Sequence, residues 1–364
     1  MINYDQRGVR TRNRRNVLDF IAKKREVSRQ DICDELGSSM TTVLGITDFL
    51  IEKGFIEVCG QVKIARGRHP HVLKYNPNGA KAMSVDYDGK IVKVAVCNTD
   101  GQELKYWEAE ASLDFEVFFS RNLPDLYTQV SSVFPDILGI GISMPGDFSP
   151  DLDYVTFGPL SLFQNIERFG ELFKKFASSL DIPVFCYNDC NAAAYGEYLR
   201  RGRNEGDLVF FYAGDGLGSG FMLDGKLRNG AHYSAGEVGY LVFESTFETD
   251  SKNPGWFENH LSEEVLSHDF ADKDKKEMIQ YVAESLALAI SNVSNILDVN
   301  LVVLDGGKIQ AFGSDLWHEV LKGVDLLCLN PIQVEHPQCT HPSLSGAAAL
   351  VIQQELDKVL MDSK

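Results

Sequence analysis

No apolar run in this 364-residue sequence approaches the length of a membrane span. No apolar core of a secretory signal follows Met1; the stretch to Arg15 is polar and rich in arginine. Both absences point to a cytoplasmic protein without a membrane partner. Paired cysteines are missing too. The seven cysteines run from Cys33 to Cys339 without a C-x-x-C pair, and Cys186 and Cys190 have no second pair or nearby histidine to complete a metal site. Reduced, partly buried thiols are the reading that remains. Positive charge is scarce: 35 Lys/Arg stand against 52 Asp/Glu, a net −17, which taken alone argues against nucleic acid.

The distribution of charge reverses that impression. Residues 1–75 hold 14 Lys/Arg and 9 Asp/Glu, a net +5, and the remainder carries −22. A basic head on an acidic body predicts that only the head meets DNA phosphates. Length suits two or three domains, and 44% hydrophobic with 24% charged residues is ordinary for a globular chain.

The head reads as three helices and a hairpin. Val17, Leu18, Ile21 and Ala22 give helical spacing over Asn13–Lys24. Ser28 is suited to cap a second helix, with Asp31 three positions on and Gly37 as its stop. Ser39 is suited to cap a third, with Val43, Ile46, Phe49, Leu50 and Ile51 inward and Gly54 closing it. Strands at Phe55–Val58 and Val72–Tyr75 then form a wing. The order is that of a winged helix-turn-helix. On the recognition helix, Met40, Thr41 and Thr42 are placed to reach base edges, Met40 toward a thymine methyl. Arg, Asn and Gln are absent from that first turn, so affinity leans on Arg7, Arg10, Arg12, Arg14, Arg15 and the wing. Arg66-Gly67-Arg68 fits a narrow minor groove, although a solvated basic turn has the same composition.

From residue 80 onward strands and helices alternate, with glycine turns at strand ends where ligands bind in α/β folds. Strands are expected at 81–85, 91–96, 137–142, 184–187, 208–212 and 301–304. Helices are expected at 191–200, 276–297 and 346–356. The turns are Asp86-Tyr87-Asp88-Gly89-Lys90, Pro145-Gly146, the segment from Gly214 to Gly220, and Asp305-Gly306-Gly307.

Several segments stand out in order. At the front these are Arg12-Asn13-Arg14, Ser28-Arg29 and Arg66-Gly67-Arg68. In the body they are Pro145-Gly146, the run from Asn188 to Glu197 beginning Asn-Asp-Cys-Asn-Ala-Ala, and Gly236-Glu237-Val238-Gly239. Together, over nearly the whole chain, they resemble signatures of the ROK family (repressor, open reading frame, kinase) in its repressor branch. The resemblance implies a two-lobed, actin/hexokinase-like (ribonuclease H-like) α/β domain behind the winged helix-turn-helix. The expected units are 1–78, then 79–188 with the C-terminal helix 346–358, then 189–345. It also implies a homodimer or higher oligomer with a sugar between the lobes. By the same resemblance Asn188, Asp189, Glu237 and Glu258 are sugar ligands, Asp189 being the base in the kinases. An N-cap role for Asp189, and solvated loop roles for the glutamates, stand as the alternatives.

The departures from the family pattern decide the functional expectation. Tyr240 stands where the family's zinc histidine belongs, Trp256 at one expected cysteine, and 241–262 contains no cysteine. No structural zinc is expected, and His260 reads as a packing or surface residue. Tyr240 and Trp256 are then free to fill the space, and Tyr240 to touch the sugar. Both phosphate loops are altered: Asp88 and Lys90 replace a glycine and a threonine in the first, and Asp215 replaces a threonine in the second. A carboxylate ~4 Å from a phosphate oxygen costs on the order of a few kcal/mol at intermediate dielectric. Phosphoryl transfer depends on the opposite sign of field. Leu160 sits where the family often places an asparagine against the sugar. The expectation is a sugar-gated, DNA-binding repressor of carbohydrate metabolism, with a duplex operator as partner, no cofactor and no kinase activity. A sugar kinase with an appended head, and a regulator that answers to a protein partner, fit the same residues less well.

Overall fold

A computed structural model describes residues 6–61, 71–89, 91–158, 163–202, 206–244 and 255–361. Helix α1 (Gln6–Lys24) starts well ahead of the apolar spacing that predicts it, because its first turns are polar. Strand β1 (Glu26–Ser28) follows and was not legible as a strand. Helix α2 (Arg29–Leu36) opens on a capping box. The Asp31 N–H donates to Ser28 Oγ at 3.2 Å, and the Ser28 N–H donates to the Asp31 carboxylate at 2.7 Å. It ends at Gly37 with φ +62°. Ser39 caps α3 (Met40–Glu52) through the Thr42 N–H. Strands β2 (Ile56–Gln61) and β3 (His71–Tyr75) complete an antiparallel sheet in the order β1-β3-β2. Arg66 and Arg68 lie outside the described residues.

The first lobe contains β4 (Lys81–Tyr87), β5 (Ile91–Asn98), β6 (Glu103–Glu110), the single turn α4 (Phe115–Val117), α5 (Leu123–Val133) and β7 (Ile140–Met144). Short strands β8 (Asp147–Phe148) and β9 (Val155–Thr156), helix α6 (Phe169–Ala177) and β10 (Val184–Asn188) follow. Its sheet runs β10-β7-β4-β5-β6, parallel from β10 to β4 and antiparallel beyond. The second lobe contains α7 (Asp189–Arg200), β11 (Leu208–Ala213), β12 (Leu217–Leu223) and β13 (Lys226–Leu227). Helices α8 (Trp256–His260), α9 (Glu263–Asp269) and α10 (Lys275–Leu297) come next, then β14 (Leu301–Asp305), α11 (Gly307–Leu327), β15 (Gln333–Glu335) and α12 (Pro342–Leu360). Its sheet runs β13-β12-β11-β14-β15, again three parallel strands and an antiparallel hairpin. Each lobe is thus built on the same strand plan.

Helix α12 ties the units together. It packs along α7 and on the first-lobe sheet at β4, β5 and β7. Two glycines permit the closeness of α7 and α12. A Cβ on Gly196 would fall 2.1 Å from the Pro342 carbonyl oxygen, and one on Gly346 would fall 1.7 Å from that of Ala192. The head's apolar core (Val17, Ile21, Ile32, Phe49, Leu50, Leu73) is continuous with Leu344, Ala348, Val351, Ile352 and Leu356 of α12. The head therefore does not bury its apolar face alone; it shares a core with the helix that braces the lobes.

Candidate functional site

The outer face of α3 presents Met40, Thr41, Thr42, Leu44 and Gly45, all exposed, as the helical spacing of the buried Val43, Ile46, Phe49 and Leu50 requires. Arg29 pins α2 to α3, its Nε donating to Thr47 Oγ1 at 2.8 Å and its Nη2 meeting Asp48 at 2.9 Å. Ser39 is exposed, and its hydroxyl contacts that of Thr42 at 2.9 Å. Arg10 and Arg12 project to solvent. Arg14 corrects the expectation of a phosphate contact. It is buried, its guanidinium carbon lies 3.4 Å from the Phe49 ring centroid, and its Nη1 donates to the Leu360 carbonyl at 2.6 Å. Arg15 is likewise engaged, with Asp19 at 3.2 Å and Asp357 at 3.1 Å.

Behind the head, strand ends and the start of α7 gather carboxylates. Asn188, not Asp189, is the N-cap of α7: its Oδ1 accepts the Asn191 N–H at 2.9 Å. Its Nδ2 donates to the Gly146 carbonyl at 3.1 Å, which holds the Pro145-Gly146 turn against the helix. Asp189 accepts the Cys190 N–H at 2.7 Å, and burial raises its pKa against that bond. Burial raises Asp147 as well, and the nearby Asp147, Glu258 and Asp189 add to burial in pushing Glu237 up to about 7. Asp86, at the end of β4, is pushed up to about 6 by burial and by Asp189, against the opposing pull of Lys93 and a bond from Ser343. Asp147 was not singled out from the sequence. Its Oδ2 accepts from Ser234 Oγ at 2.6 Å and from Thr156 Oγ1 at 3.3 Å, so it joins the first lobe to the loop that leads into Glu237. Its place directly after Pro145-Gly146 was the only signal.

A raised carboxylate pKa has a stability consequence with a definite sign. Below about 4.5, the ordinary value for Glu237, folded and unfolded chains are both protonated there. Between about 4.5 and about 7 the unfolded chain releases that proton and the folded chain keeps it. The ligand-free melting temperature should therefore fall as pH rises through that window, and Glu237→Gln should reduce the slope. An identical slope in wild type and variant, measured by thermal unfolding from pH 4.5 to 8, would refute the assignment.

The second glycine turn is filled by the chain itself. Glu258 Oε1 accepts the Leu217 N–H at 3.2 Å and lies 3.1 Å from where a Cβ of Gly216 would stand. Lys308, which sequence reasoning missed although it follows Asp305-Gly306-Gly307, donates to the Gly214 carbonyl from the other side. Burial lowers its pKa, against the attraction of Asp215, Glu258 and Glu263. Asp215 is exposed on this turn. At the first turn Asp88 is exposed and its Oδ1 accepts the Ile91 N–H at 3.0 Å; Lys90 and Leu160 lie outside the described residues. One Glu258 oxygen is thus committed to the glycine turn, where the sequence suggested a sugar ligand.

Tyr240 follows Glu237 on one turn of 3-10 helix and is 41% exposed, leaving its ring available to a ligand. Trp256 packs edge-on against Phe243 and stacks on His260 at 3.8 Å, and His260 Nδ1 lies 2.7 Å from the Trp256 carbonyl oxygen. Among the described residues no group of three His, Cys, Asp or Glu is placed to hold a metal ion.

The ROK family model matches residues 82–354 of this chain. A xylose repressor of Caldicellulosiruptor bescii is 28% identical, over 86% of this chain and 86% of its own length. A crystal structure of a ROK family transcriptional regulator, a homolog of the E. coli MLC protein, shares the fold with a TM-score of 0.75 at 20% identity, over 97% of this chain and 98% of that one. The ROK hexokinase of Thermus thermophilus shares it with a TM-score of 0.65 at 17% identity, over 76% of this chain and 99% of that one. The fold is the two-lobed, actin/hexokinase-like α/β arrangement, and the regulator carries the likeness through the head as well.

Proposed function

This chain belongs to the ROK family, and from that premise we propose that it is a DNA-binding transcriptional repressor of sugar metabolism whose cleft senses a sugar without phosphorylating it. One observation carries the reading: a capped helix-turn-helix with an exposed recognition face, in the net-basic first 75 residues, shares its core with the helix that braces the cleft. The xylose repressor name of a relative aligned over most of both chains supports it. The units are 1–78, 79–188 with 346–358, and 189–345. Arg12, Ser39, Met40, Thr41, Thr42, Arg66 and Arg68 meet the duplex. Asp189, Glu237, the outward face of Tyr240 and the remaining valences of Asn188 and Glu258 hold sugar hydroxyls. The occupied glycine turn and the exposed Asp88 and Asp215 support the absence of kinase activity, because a nucleotide would have to displace Lys308 and Glu258 and then meet anions. No cofactor is needed for this role. The protein works in the cytoplasm as a homodimer or higher oligomer. No helix among the described residues is long and apolar enough to cross a membrane.

Gating requires that the sugar bind one lobe arrangement better than another. In a dimer, a change between lobes alters the separation of two heads, and half-site spacing makes that separation decisive. The test uses the full-length chain, a duplex selected from random DNA, and a panel of monosaccharides. A sugar that raises the melting temperature should also release the duplex. Asp189→Asn should retain DNA binding and lose about 10- to 100-fold in sugar affinity. Turnover of ATP with any of those sugars would overturn the non-enzymatic part. Retention of the duplex at saturating sugar would overturn the gating.

A further inference from the structure

The base edges that this head reads can be inferred from what α3 exposes. Its outward side chains are Met40, Thr41, Thr42, Leu44, Asp48 and, at its last residue, Glu52. Asp48 is anionic and tied to Arg29 at 2.9 Å, and the Thr42 hydroxyl is within 2.9 Å of Ser39 Oγ. Bidentate reading of guanine or adenine in the major groove takes Arg, Lys, Asn or Gln, and this face has none. What it offers instead are two large apolar side chains, Met40 and Leu44, each 45% exposed and one helical turn apart. Isolated exposed apolar residues are common, but these two are one turn apart on a helix whose opposite face, Val43, Ile46, Phe49 and Leu50, is committed to the core. The head's net +5 against the body's −22 selects a polyanion as the occupant of this face. Within a duplex, the thymine C5-methyl is the one apolar group on a major-groove base edge.

We propose that Met40 and Leu44 read thymine methyl groups, so that each operator half-site is specified in the major groove by apolar contact rather than by hydrogen bonding. The inference rests on the DNA-binding reading above. One helical turn rises about 5.4 Å and one base-pair step about 3.4 Å. The two contacted thymines therefore lie one or two steps apart. Thr41 contributes the one hydroxyl of the face not already engaged by a capping partner, enough for a single hydrogen bond beside them.

Deoxyuridine makes the test clean, because it removes the methyl and leaves Watson–Crick pairing and the minor-groove edge unchanged. Contacts of a wing arm are then not scored. A duplex is selected from random DNA with the full-length chain, and each thymine is replaced singly by deoxyuridine. Loss of one contacted methyl should weaken binding about fourfold, the equivalent of ~0.8 kcal/mol. One or two positions per half-site should respond. Leu44→Ala should abolish the penalty at one of them and Met40→Ala at the other, with melting temperatures unchanged because both side chains are exposed. A tightly bound duplex in which no deoxyuridine position matters overturns methyl reading and leaves DNA binding intact. Penalties that persist unchanged in both variants overturn the assignment to these residues. Failure to enrich any duplex takes down the DNA-binding reading and this inference together.

Discussion

Replacing Arg201 by alanine should lower the unfolding free energy by about 3–5 kcal/mol. Arg201 caps the end of α7, and its side chain is 1% exposed, opposite Glu197 at 0%. Its Nε meets Glu197 at 3.1 Å, its Nη1 meets Glu335 at 2.7 Å, and its Nη2 donates to the His336 carbonyl at 3.3 Å. Glu197 in turn accepts the Gln338 N–H at 3.1 Å and the Cys339 N–H at 2.7 Å. The group fastens α7, the helix capped by Asn188, to β15 and to the segment leading into α12. Removing the guanidinium leaves a carboxylate buried without its counter-ion, which costs far more than the pair contributes. Chemical denaturation should show a loss in the stated range. Arg201→Met combined with Glu197→Leu should recover a large part of it, because the stranded charge is then gone. A loss below about 1 kcal/mol for Arg201→Ala would place the pair among weak surface bridges and contradict its burial.

The second large effect concerns the joint between head and body. Arg14→Ala removes a charge-assisted hydrogen bond to the Leu360 carbonyl and a cation stacked on Phe49 of α3. Together these stabilise the docked head by about 2–4 kcal/mol. Amide exchange should accelerate in α1 and α3, and affinity for the selected duplex should fall. Arg14→Lys should rescue only part, since an ammonium has no planar face to lay on the ring. The dependence of binding on salt separates this role from phosphate contact. Loss of a phosphate contact would lower the slope of log affinity against log salt by about one; Arg14→Ala should leave that slope unchanged, and Arg12→Ala should reduce it. A reduced slope for Arg14→Ala would reverse the assignment.

The contrast between Arg12 and Arg14 shows how far the amino-acid order goes. Both stand in the same polar stretch; helical spacing puts Arg14 on the face of Val17, Leu18 and Ile21 and Arg12 off it, but says nothing of what Arg14 would meet there. Arg14 is buried because Phe49 and Leu360 arrive beside it, and Leu360 lies 346 positions away. The same holds in the cleft. Asp147 meets Ser234 from 87 positions off, and Glu258 meets the Leu217 N–H from 41. These pairings depend on how the lobes pack, and no periodicity encodes them. At the start of α7 the N-cap role that the sequence left open for Asp189 falls to Asn188, because both residue types cap helices and only backbone geometry selects which one does.

What the order of residues did determine is whatever acts over a few positions. The capping box at Ser28, the left-handed stop at Gly37, the cap at Ser39, the apolar spacing of α3 and the strand-then-glycine turns all follow from contacts within one or two turns of chain. The head's positive charge and the body's negative charge are likewise settled by composition. Tertiary structure alone decided which charges are buried, which carboxylates face one another, and what occupies the glycine turn. The cost of burying a charge depends on neighbours from remote parts of the chain, so its outcome is fixed only when the elements pack.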